Sequence, residues 1–417
     1  MKKSLQIFFF LSISILSKAQ PNFPPPTGIY CSCPPTTTNV SLPGSVDPTV
    51  AAKPFVKGIL VRASWADMEP SDNSYNWTLI DNQITAANSF GKKISLAIGG
   101  GPNSPAWIYT LGVQSQSFTV PFTGTVPVIW DATFLNKWTE FVRALGNKYK
   151  NDTTIRLVYI TNGTGNGFEM QLPFNPTPSF TSISYTDQKV INSWKRVIDT
   201  FKVAFPNHYL TNDFHPVNSS NAVADSVYLY ARTKLPNRYG ANAWWWTQNN
   251  TTLYASQYSI LQHSSSNNIF SGVQIARSHT TDSALFGAGG IYGALSLAIS
   301  NNVCYWEVWN QDIINTKLNA LFTNSTTCTT LTDIHNKQNE NEQIVIYPNP
   351  CSGRISLSIK TTAEFILIDR IGKIVFKKII TEDNSQNIQL PILPSGVYFA
   401  RLETNGQYHY KKLMIEY

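Results

Sequence analysis

Five acidic residues occupy positions where predicted buried strands end, and they are the side chains best placed to do acid–base chemistry. They are Glu69, Glu169, Asp213, Glu307 and Asp312. Two carboxyl groups, one protonated and one ionised, can cleave a polar bond, because one donates a proton while the other acts as base or nucleophile. Glu307 lies in the sequence YWEVW, whose aromatic rings could exclude water, and Glu169 follows a glycine-rich loop.

Metal and phosphate chemistry receive no support from the sequence. There is no Cys-x₂-Cys pair and no His-Glu-x-x-His spacing, so a zinc site is not predicted. Gly99-Gly100-Gly101 lacks the Lys-Ser/Thr that follows in a phosphate-binding loop. We therefore expect neither a metal nor a cofactor. Cys31 and Cys33 are interpreted as packed or locally bridged, and we predict a disulfide between Cys304 and Cys328.

Short apolar runs and amphipathic helices alternate along most of the chain. Buried strands are predicted at 28–33, 58–65, 93–98, 155–160, 209–214, 240–246, 273–276 and 303–309. Helices are predicted at 132–149, 185–205, 293–299 and 313–322. This alternation predicts an α/β fold with a closed parallel sheet, a (β/α)₈ TIM barrel, whose chemistry lies at the carboxyl ends of its strands.

The second and third predicted strands carry a residue pattern in fixed order. It reads R-x-x-W-x-x-x-E-P-x-x-x-x-Y-x-W-x-x-x-D, formed by Arg62, Trp65, Glu69, Pro70, Tyr75, Trp77 and Asp81, and Pro105-Ala106-Trp107 follows. This pattern resembles the barrels of glycoside hydrolase clan A, especially the β-galactosidase-like families. The resemblance implies a sugar site at the barrel mouth and hydrolysis by two carboxyl groups.

The resemblance also shows where this chain departs from the clan. The clan ends strand four with Asn and then the acid Glu, but here Gly163 follows Asn162 and the next carboxylate is Glu169. Either the glycine-rich loop returns Glu169 to the site, or the acid has been lost. The clan places its nucleophile at the end of strand seven, whereas Glu307 lies on predicted strand eight. The alternative role for Glu307 is a buried carboxylate paired with Arg62 or another barrel arginine.

We interpret Glu307 and Glu169 as the catalytic pair, retaining if active. Glu69 is interpreted mainly as a loop-holding residue, and Asp213, near His215, as a loop cap or a contact to a sugar or a metal. Trp244-Trp245-Trp246 could form a sugar platform or part of the core. The predicted substrate-binding residues are Arg62, Trp65, Trp107, Asp213, Trp246 and Trp309.

The N-terminal residues predict export. Lys2 and Lys3 precede a short apolar core, and Ser17-Lys18-Ala19 is a small-x-small cleavage site, so residues 1–19 are predicted to be a signal peptide. The formal net charge of +7 falls to +4 without Lys2, Lys3 and Lys18, and the chain has no basic block. Nucleic acid is therefore not an expected partner, and no transmembrane segment is predicted.

The composition changes after residue 323, where a polar stretch at 324–343 reads as a linker. Residues 344–417 show alternating strands with turn signals and predict a small all-β, sandwich-like domain. It resembles the type A C-terminal sorting domain of the type IX secretion system. The matching segments are YPNP at 347–350, Gly353, DRIGK at 369–373, LPSGVY at 393–398 and KKL at 411–413. The resemblance implies export through the outer membrane by that machinery.

The sequence therefore predicts a secreted or surface glycoside-hydrolase-like protein acting on extracellular carbohydrate, with its barrel at 20–323. A carbohydrate-binding surface protein that has lost hydrolysis is the main alternative, and a structural adhesin is a third. A retained acid and nucleophile in one pocket would favour the enzyme. A tryptophan-lined groove without a carboxylate pair would favour the binding protein.

Overall fold

The computed structural model describes residues 23–33, 45–266, 270–324, 345–358, 362–369, 374–381, 386–404 and 407–416. The chain divides into two compact units, Met1–Leu331 and Thr332–Tyr417. The predicted signal peptide and almost all of the predicted linker lie outside the described residues.

The described part of the first unit contains ten strands, of which eight form a closed parallel barrel. The strands are β1 (Gly28–Ser32), β2 (Val56–Ser64), β3 (Lys93–Gly99), β4 (Ser115–Phe118), β5 (Gly124–Pro127), β6 (Ile155–Tyr159), β7 (Tyr209–Asp213), β8 (Tyr239–Trp246), β9 (Ser271–Ile275) and β10 (Tyr305–Trp309). The barrel order is β1-β10-β9-β8-β7-β6-β3-β2, and β4 and β5 form a separate hairpin. The predicted TIM barrel and its eight strands are confirmed.

Both faces of the barrel strands are buried, which explains why they read as continuous apolar runs. All eight residues of β8 are buried, and so are six of the seven in β3. Side chains alternate between two cores along each strand. On β10, Tyr305 packs with the aromatic cluster inside the barrel, whereas Trp306 and Val308 pack in the layer beneath the helices.

Helices surround the barrel. They are α1 (Pro48–Ala51), α2 (Trp65–Met68), α3 (Thr78–Ser89), α4 (Trp107–Thr110), α5 (Ala132–Tyr149), α6 (Asp187–Ala204), α7 (Ala222–Lys234), α8 (Asn250–Leu253), α9 (Ala255–Ser266), α10 (Gly290–Ser300), α11 (Asn310–Ile314) and α12 (Asn319–Asn324). The two longest begin at side-chain caps: Asp131 accepts the backbone N–H of Phe134, and Thr186 accepts that of Lys189.

The last predicted helix, 313–322, is wrong as a single element. The segment consists of α11, a 3₁₀ turn and α12. Asn315 interrupts it, because its backbone is extended and its side chain accepts the N–H of Lys317, which starts a new turn. Helices α7 and α9 were not predicted from the sequence.

One described stretch, Ser283–Ser300, is long and apolar enough to cross a membrane by length and composition. In the fold it consists of a 3₁₀ turn at Ser283–Phe286 followed by α10, and Gly287 between them has a φ of +70°. Ile291, Leu295 and Ala298 on α10 are buried in the barrel's outer core. One face of α10 therefore packs against the barrel, while Tyr292 and Ile299 on the same helix are exposed.

The second unit is all-β, as predicted. Its strands are β11 (Val345–Tyr347), β12 (Arg354–Ser358), β13 (Ala363–Ile368), β14 (Ile374–Ile380), β15 (Gln386–Gln389), β16 (Gly396–Thr404) and β17 (Gln407–Ile415). They form a three-stranded sheet, β11-β12-β15, and a four-stranded sheet, β14-β13-β16-β17. Ile355, Phe365 and Leu413 belong to a separate core cluster. Two of the turn signals in this domain, Ile371-Gly372 and Asn405-Gly406, lie outside the described residues.

Cys31 and Cys33 form a disulfide at the end of β1, consistent with the predicted local bridge. Cys304 is also disulfide-bonded. Its predicted partner, Cys328, lies outside the described residues.

Candidate active site

Glu307 is a buried carboxylate on β10 that accepts hydrogen bonds at both oxygens. Tyr159 donates its hydroxyl to Oε1 at 2.6 Å, and Gln274 donates Nε2–H to Oε2 at 2.6 Å. Tyr305 donates its hydroxyl to Oε1 as well. Glu307 has no exposed surface. Its donors are thus two tyrosines and an amide, rather than the arginine considered as its partner from the sequence.

The direction of the Tyr159 hydrogen bond follows from the other contacts of that hydroxyl. Asn242 donates Nδ2–H to it at 2.6 Å, and Trp244 donates Nε1–H at 3.1 Å. Because both lone pairs of the hydroxyl are used, its own hydrogen points to Glu307. Tyr159 therefore acts as a fixed donor that holds the carboxylate in place.

Burial raises the pKa of Glu307 to about 7. The hydrogen bonds from Tyr159, Tyr305 and Gln274 favour the ionised form and oppose this rise, as does the positive charge of Arg62. The carboxyl therefore titrates close to neutral pH, which is the range in which an acid–base group works best.

Arg62 on β2 is a partly exposed cation beside the carboxylate. Its guanidinium lies 5.9 Å from the ring centre of Trp244 and 5.8 Å from that of Trp309. It also donates to Ser32 Oγ at 3.1 Å. Burial lowers the pKa of Arg62, while the charges of Glu307 and Glu169 act to raise it, so Arg62 is electrostatically linked to both carboxyls.

Two glycine runs interlock to hold the loop that carries Glu169. Gly100 N–H donates to Gly167 O at 3.3 Å. A Cβ on Gly101, whose φ is +57°, would lie 2.0 Å from Thr164 O, and one on Gly167 would lie 2.2 Å from Gly100 O. Only glycine permits this contact between two backbones. The Gly99-Gly100-Gly101 run is therefore a packing surface for the loop after β6.

Local hydrogen bonds fix the position of Glu169 within that loop. Asn166 Oδ1 accepts the backbone N–H of Phe168 and of Glu169, and Thr164 donates its hydroxyl to Glu169 O at 2.5 Å. The Glu169 side chain is 23% exposed. The ring centre of Phe168 lies 6.2 Å from that of Trp244. The loop thus turns back toward the barrel mouth, as one of the two sequence hypotheses required.

Glu169 faces a histidine that is held by an aspartate. His215 Nε2 lies 3.9 Å from Glu169 Oε2, and His215 Nδ1 lies 2.5 Å from Asp213 Oδ2. Asp213 Oδ1 accepts the backbone N–H of Trp244 at 2.6 Å. Burial raises the pKa of Glu169, and the charge of His215 opposes this rise. Burial acts to lower the pKa of His215, but the charge of Asp213 and its hydrogen bond outweigh burial and leave that pKa raised.

The ligand atoms of Glu169, Asp213 and His215 lie within 4.8 Å of one another, close enough to surround a cation. Asp213 accepts the backbone N–H of Trp244 at one oxygen and lies against His215 Nδ1 at the other, so it orients His215 Nε2 toward Glu169. A carboxyl and an imidazole that face each other in this way can also hold and move a proton.

Trp65 and Trp246, two of the predicted sugar contacts, lie in the core. Neither has exposed surface; Trp65 donates Nε1–H to Glu69 Oε2, and Trp246 donates to Ala294 O beneath α10. The register of β8 against β9 shifts between Ala243 and Trp246, so the expected alternation of faces breaks. Trp244 lines the barrel interior, while Trp246 packs outside it.

Two other candidate carboxylates hold loops. Glu69 accepts Trp65 Nε1–H at 2.7 Å and the backbone N–H of Asn73 at 2.9 Å, which agrees with its predicted role. Asp312 is buried and accepts the backbone N–H groups of His279 and Thr280. Both residues are therefore structural.

The remaining predicted sugar contacts differ in exposure. Trp309 is partly exposed and donates Nε1–H to Ile275 O, and Trp107 is partly exposed and donates to Glu69 O. Asp213 has no exposed side-chain surface and contacts His215.

The sequence did not single out Tyr159, Asn242 and Tyr305. Their signal was present only as polar or aromatic residues at inward-facing positions of predicted strands. The contact of Gln274, on β9, with Glu307 was not predicted either.

Comparison with known proteins gives two family matches. Residues 58–172 match a family described as β-galactosidase, and residues 345–416 match a family described as a secretion system C-terminal sorting domain. The second match indicates export by the type IX secretion system, to the cell surface or the medium. No curated protein matches the chain.

Several solved structures are similar to this chain at low sequence identity. They include the catalytic domain of a β-amylase from Paenibacillus polymyxa (9% identity, 78% of this chain and 100% of that chain, TM-score 0.49). Xylanase 10B from Thermotoga maritima is similar at 12% identity over 68% and 82% of the two chains, with a TM-score of 0.43. A β-galactosidase from the psychrophilic Marinomonas ef1 is similar at 10% identity over 59% and 47%, with a TM-score of 0.35.

The chain thus combines a (β/α)₈ barrel that contains a β-galactosidase-like segment with a C-terminal secretion-system sorting domain, as the sequence resemblances predicted.

Proposed function

We propose that this protein is a secreted glycoside hydrolase that acts on extracellular carbohydrate. The observation that carries the proposal is that Trp244 connects the surroundings of the two carboxyls. Its Nε1–H donates to Tyr159, which donates to Glu307, and its backbone N–H donates to Asp213, which orients His215 toward Glu169. Glycoside hydrolysis requires two carboxyls on either side of the bond, one of which holds a proton near neutral pH.

In this proposal Glu169 is the general acid and base. Its side chain is partly exposed, and its raised pKa favours a proton that can be given to the leaving oxygen. Glu307 is the nucleophile, held by Tyr159 and Gln274. A retaining mechanism would need the two carboxyls about 5–5.5 Å apart, and an inverting one about 6.5–9.5 Å. Arg62, Trp309 and Trp107 are the proposed sugar contacts.

The position of Glu307 on strand eight is compatible with a nucleophile role. In clan A the nucleophile ends strand seven, where this chain has Gln274. Glu307 Oε2 lies 2.6 Å from Gln274 Nε2, so its carboxyl reaches within one hydrogen bond of the strand-seven side chain. This closeness supports a carboxylate supplied from the neighbouring strand to nearly the same place.

One observation favours the alternative, a carbohydrate-binding protein without hydrolysis. Glu307 has no exposed surface, and both of its oxygens already accept hydrogen bonds. A nucleophile must reach the sugar's anomeric carbon, so catalysis would require the side chains around Glu307 to move when substrate binds. A binding protein would need no such movement.

Export is proposed to follow the domain order predicted from the sequence. A signal peptide at 1–19 would direct the chain across the inner membrane, and the domain at 344–417 would direct it to the type IX machinery. The barrel at 20–323 and the linker at 324–343 complete this arrangement.

The experiment measures kcat and KM of the full chain on a panel of nitrophenyl glycosides, together with sugar binding by calorimetry. Glu307→Gln should abolish turnover and keep sugar binding nearly intact, because the amide retains the shape and lacks the nucleophile. Glu169→Gln should lower kcat by roughly 10²–10⁴-fold on substrates with poor leaving groups and much less on activated aryl glycosides. Unchanged turnover in both variants would exclude these assignments.

A carboxylate exchange gives a matched control. The double variant Gln274→Glu with Glu307→Gln keeps one carboxyl and one amide in contact but moves the charge to strand seven. We expect it to recover part of the turnover that Glu307→Gln loses. Sugar binding without turnover in the wild-type protein and in every variant would support the binding protein instead.

A further inference from the structure

The pair formed by Asp213 and His215 has no role in the mechanism described so far, although it lies against the proposed acid. Asp213 ends β7, and His215 follows two residues later. The His215 side chain is only 4% exposed and that of Asp213 is not exposed at all. A buried ionisable pair beside a partly exposed carboxyl is costly to maintain, which makes a functional role a reasonable hypothesis.

The hydrogen bonds determine which nitrogen of His215 faces Glu169. Nδ1 lies 2.5 Å from Asp213 Oδ2, and Asp213 Oδ1 is occupied by the backbone N–H of Trp244. Asp213 therefore accepts the Nδ1–H hydrogen bond and directs Nε2 toward Glu169 Oε2, 3.9 Å away. That distance is too long for a hydrogen bond and short enough for a strong charge interaction.

The other charged and titratable groups around Glu169 come from separate elements. Arg62 on β2 contributes a positive charge, and Asp213 on β7 contributes a negative one. Tyr254, between α8 and α9, packs its ring edge-on to His215 at 5.2 Å and is electrostatically linked to both Glu169 and Asp213. Among these groups, His215 opposes most strongly the rise that burial causes in the pKa of Glu169.

We propose that His215, oriented by Asp213, is a positioning residue that sets the protonation of Glu169 at the barrel mouth: the imidazolium carries its own proton, and its charge weakens the hold of the carboxyl on a second one. The proposal rests on the proposed function, in which Glu169 is the acid and base. When Glu169 gives its proton to the leaving oxygen, the resulting carboxylate faces an imidazolium that stabilises it. When a water attacks in the second step, Glu169 recovers the proton.

The physical coupling can be measured without any turnover. NMR titration of the histidine ring signals in the full chain, with His215 assigned by its loss in His215→Gln, gives the pKa of His215. It should fall by roughly 1 unit or more in Glu169→Gln, because an opposite charge within about 4–6 Å shifts a pKa by roughly 1–3 units. Asp213→Asn should lower it at least as far, because it removes both a charge and a hydrogen bond.

The consequence for catalysis is read from the pH profile of kcat/KM. His215→Gln removes the cation that opposes the raised pKa of Glu169, so Glu169 should keep its proton to higher pH and the basic limb should move up by about 1 unit. His279→Gln, the same replacement on the loop after β9, is the matched control and should leave the limb in place. A merely structural role for His215 would lower kcat without moving the limb.

A failure of the proposed glycoside hydrolase function can be distinguished from a failure of the coupling between His215 and Glu169. If the wild-type protein hydrolyses no glycoside, the proposed function fails, while the NMR titration still decides the coupling. An unchanged pKa of His215 in Glu169→Gln would overturn the proposal whatever the activity. So would a basic limb that stays in place or moves down in a folded His215→Gln variant.

Discussion

Replacing Glu307 with glutamine should remove a pH-dependent loss of stability from the barrel. Burial raises the pKa of Glu307 from its ordinary 4.5 to about 7. Between these two pH values the folded protein holds a proton that the unfolded chain has released. The stability linked to this proton is therefore fully present below pH 4.5 and is lost as the pH rises through 7.

The difference of about 2.5 pH units corresponds to about 3 kcal/mol of unfolding free energy between pH 4 and pH 8. Burial also raises the pKa of Glu69 and Glu169, but both residues are present in the wild type and the variant. The difference in pH dependence between the wild type and Glu307→Gln therefore reports the contribution of Glu307. Glutamine can accept from both tyrosines, and Gln274 can turn its amide to accept from the new side chain, so the fold should be retained.

Urea unfolding followed by tryptophan fluorescence measures this effect at a series of pH values. The chain has 11 tryptophans, all between Trp65 and Trp309, so the signal reports the barrel and not the C-terminal unit. Tyr159→Phe provides a second arm: it removes a hydrogen bond that lowers the pKa of Glu307, so the loss of stability should extend to higher pH. The same pH dependence in the wild type and Glu307→Gln would refute the reasoning.

Three further predictions follow from the fold and the tail. Gly101→Ala should destabilise the barrel by roughly 3 kcal/mol or more, because its Cβ would meet Thr164 O at 2.0 Å, whereas Gly112→Ala, with open space around it, should cost only about 1–2 kcal/mol in urea unfolding. Asp312→Ala should cost roughly 2–5 kcal/mol in the same assay, because two backbone N–H groups lose their acceptor; a change below 1 kcal/mol would contradict this. Deleting residues 344–417 should leave soluble barrel in the periplasm on cell fractionation, and normal secretion of the truncated protein would contradict the role of the tail.

The barrel could be predicted from the sequence because its strands are buried on both faces. Such strands appear as short apolar runs between turns, and each predicted run matches one observed strand in the observed order. Helix α5 was predicted with its observed bounds because its apolar residues recur on one face. Helix α9 escaped prediction because its buried face includes Gln257, Ser264 and Ser265, which break an apolar periodicity.

The site was only partly predictable, because its contacts join distant parts of the chain. Glu307 could be recognised from its aromatic neighbours, but Tyr159 and Gln274 come from strands 148 and 33 residues away. Which inward-facing side chains meet depends on the stagger of the barrel strands, which a single sequence does not reveal. The packing of Trp246 outside the barrel was not predicted for a local reason, the register shift in β8.

The most direct test of the proposed mechanism is the trapping of a covalent glycosyl-enzyme. The full chain is incubated with 2,4-dinitrophenyl 2-deoxy-2-fluoro-β-galactoside and with the matching glucoside, and intact mass and peptide mapping locate any label. The account predicts one sugar per chain, attached to Glu307, and no label in Glu307→Gln. A label on Glu169 or another carboxylate, or hydrolysis of nitrophenyl glycosides without any label, would contradict it.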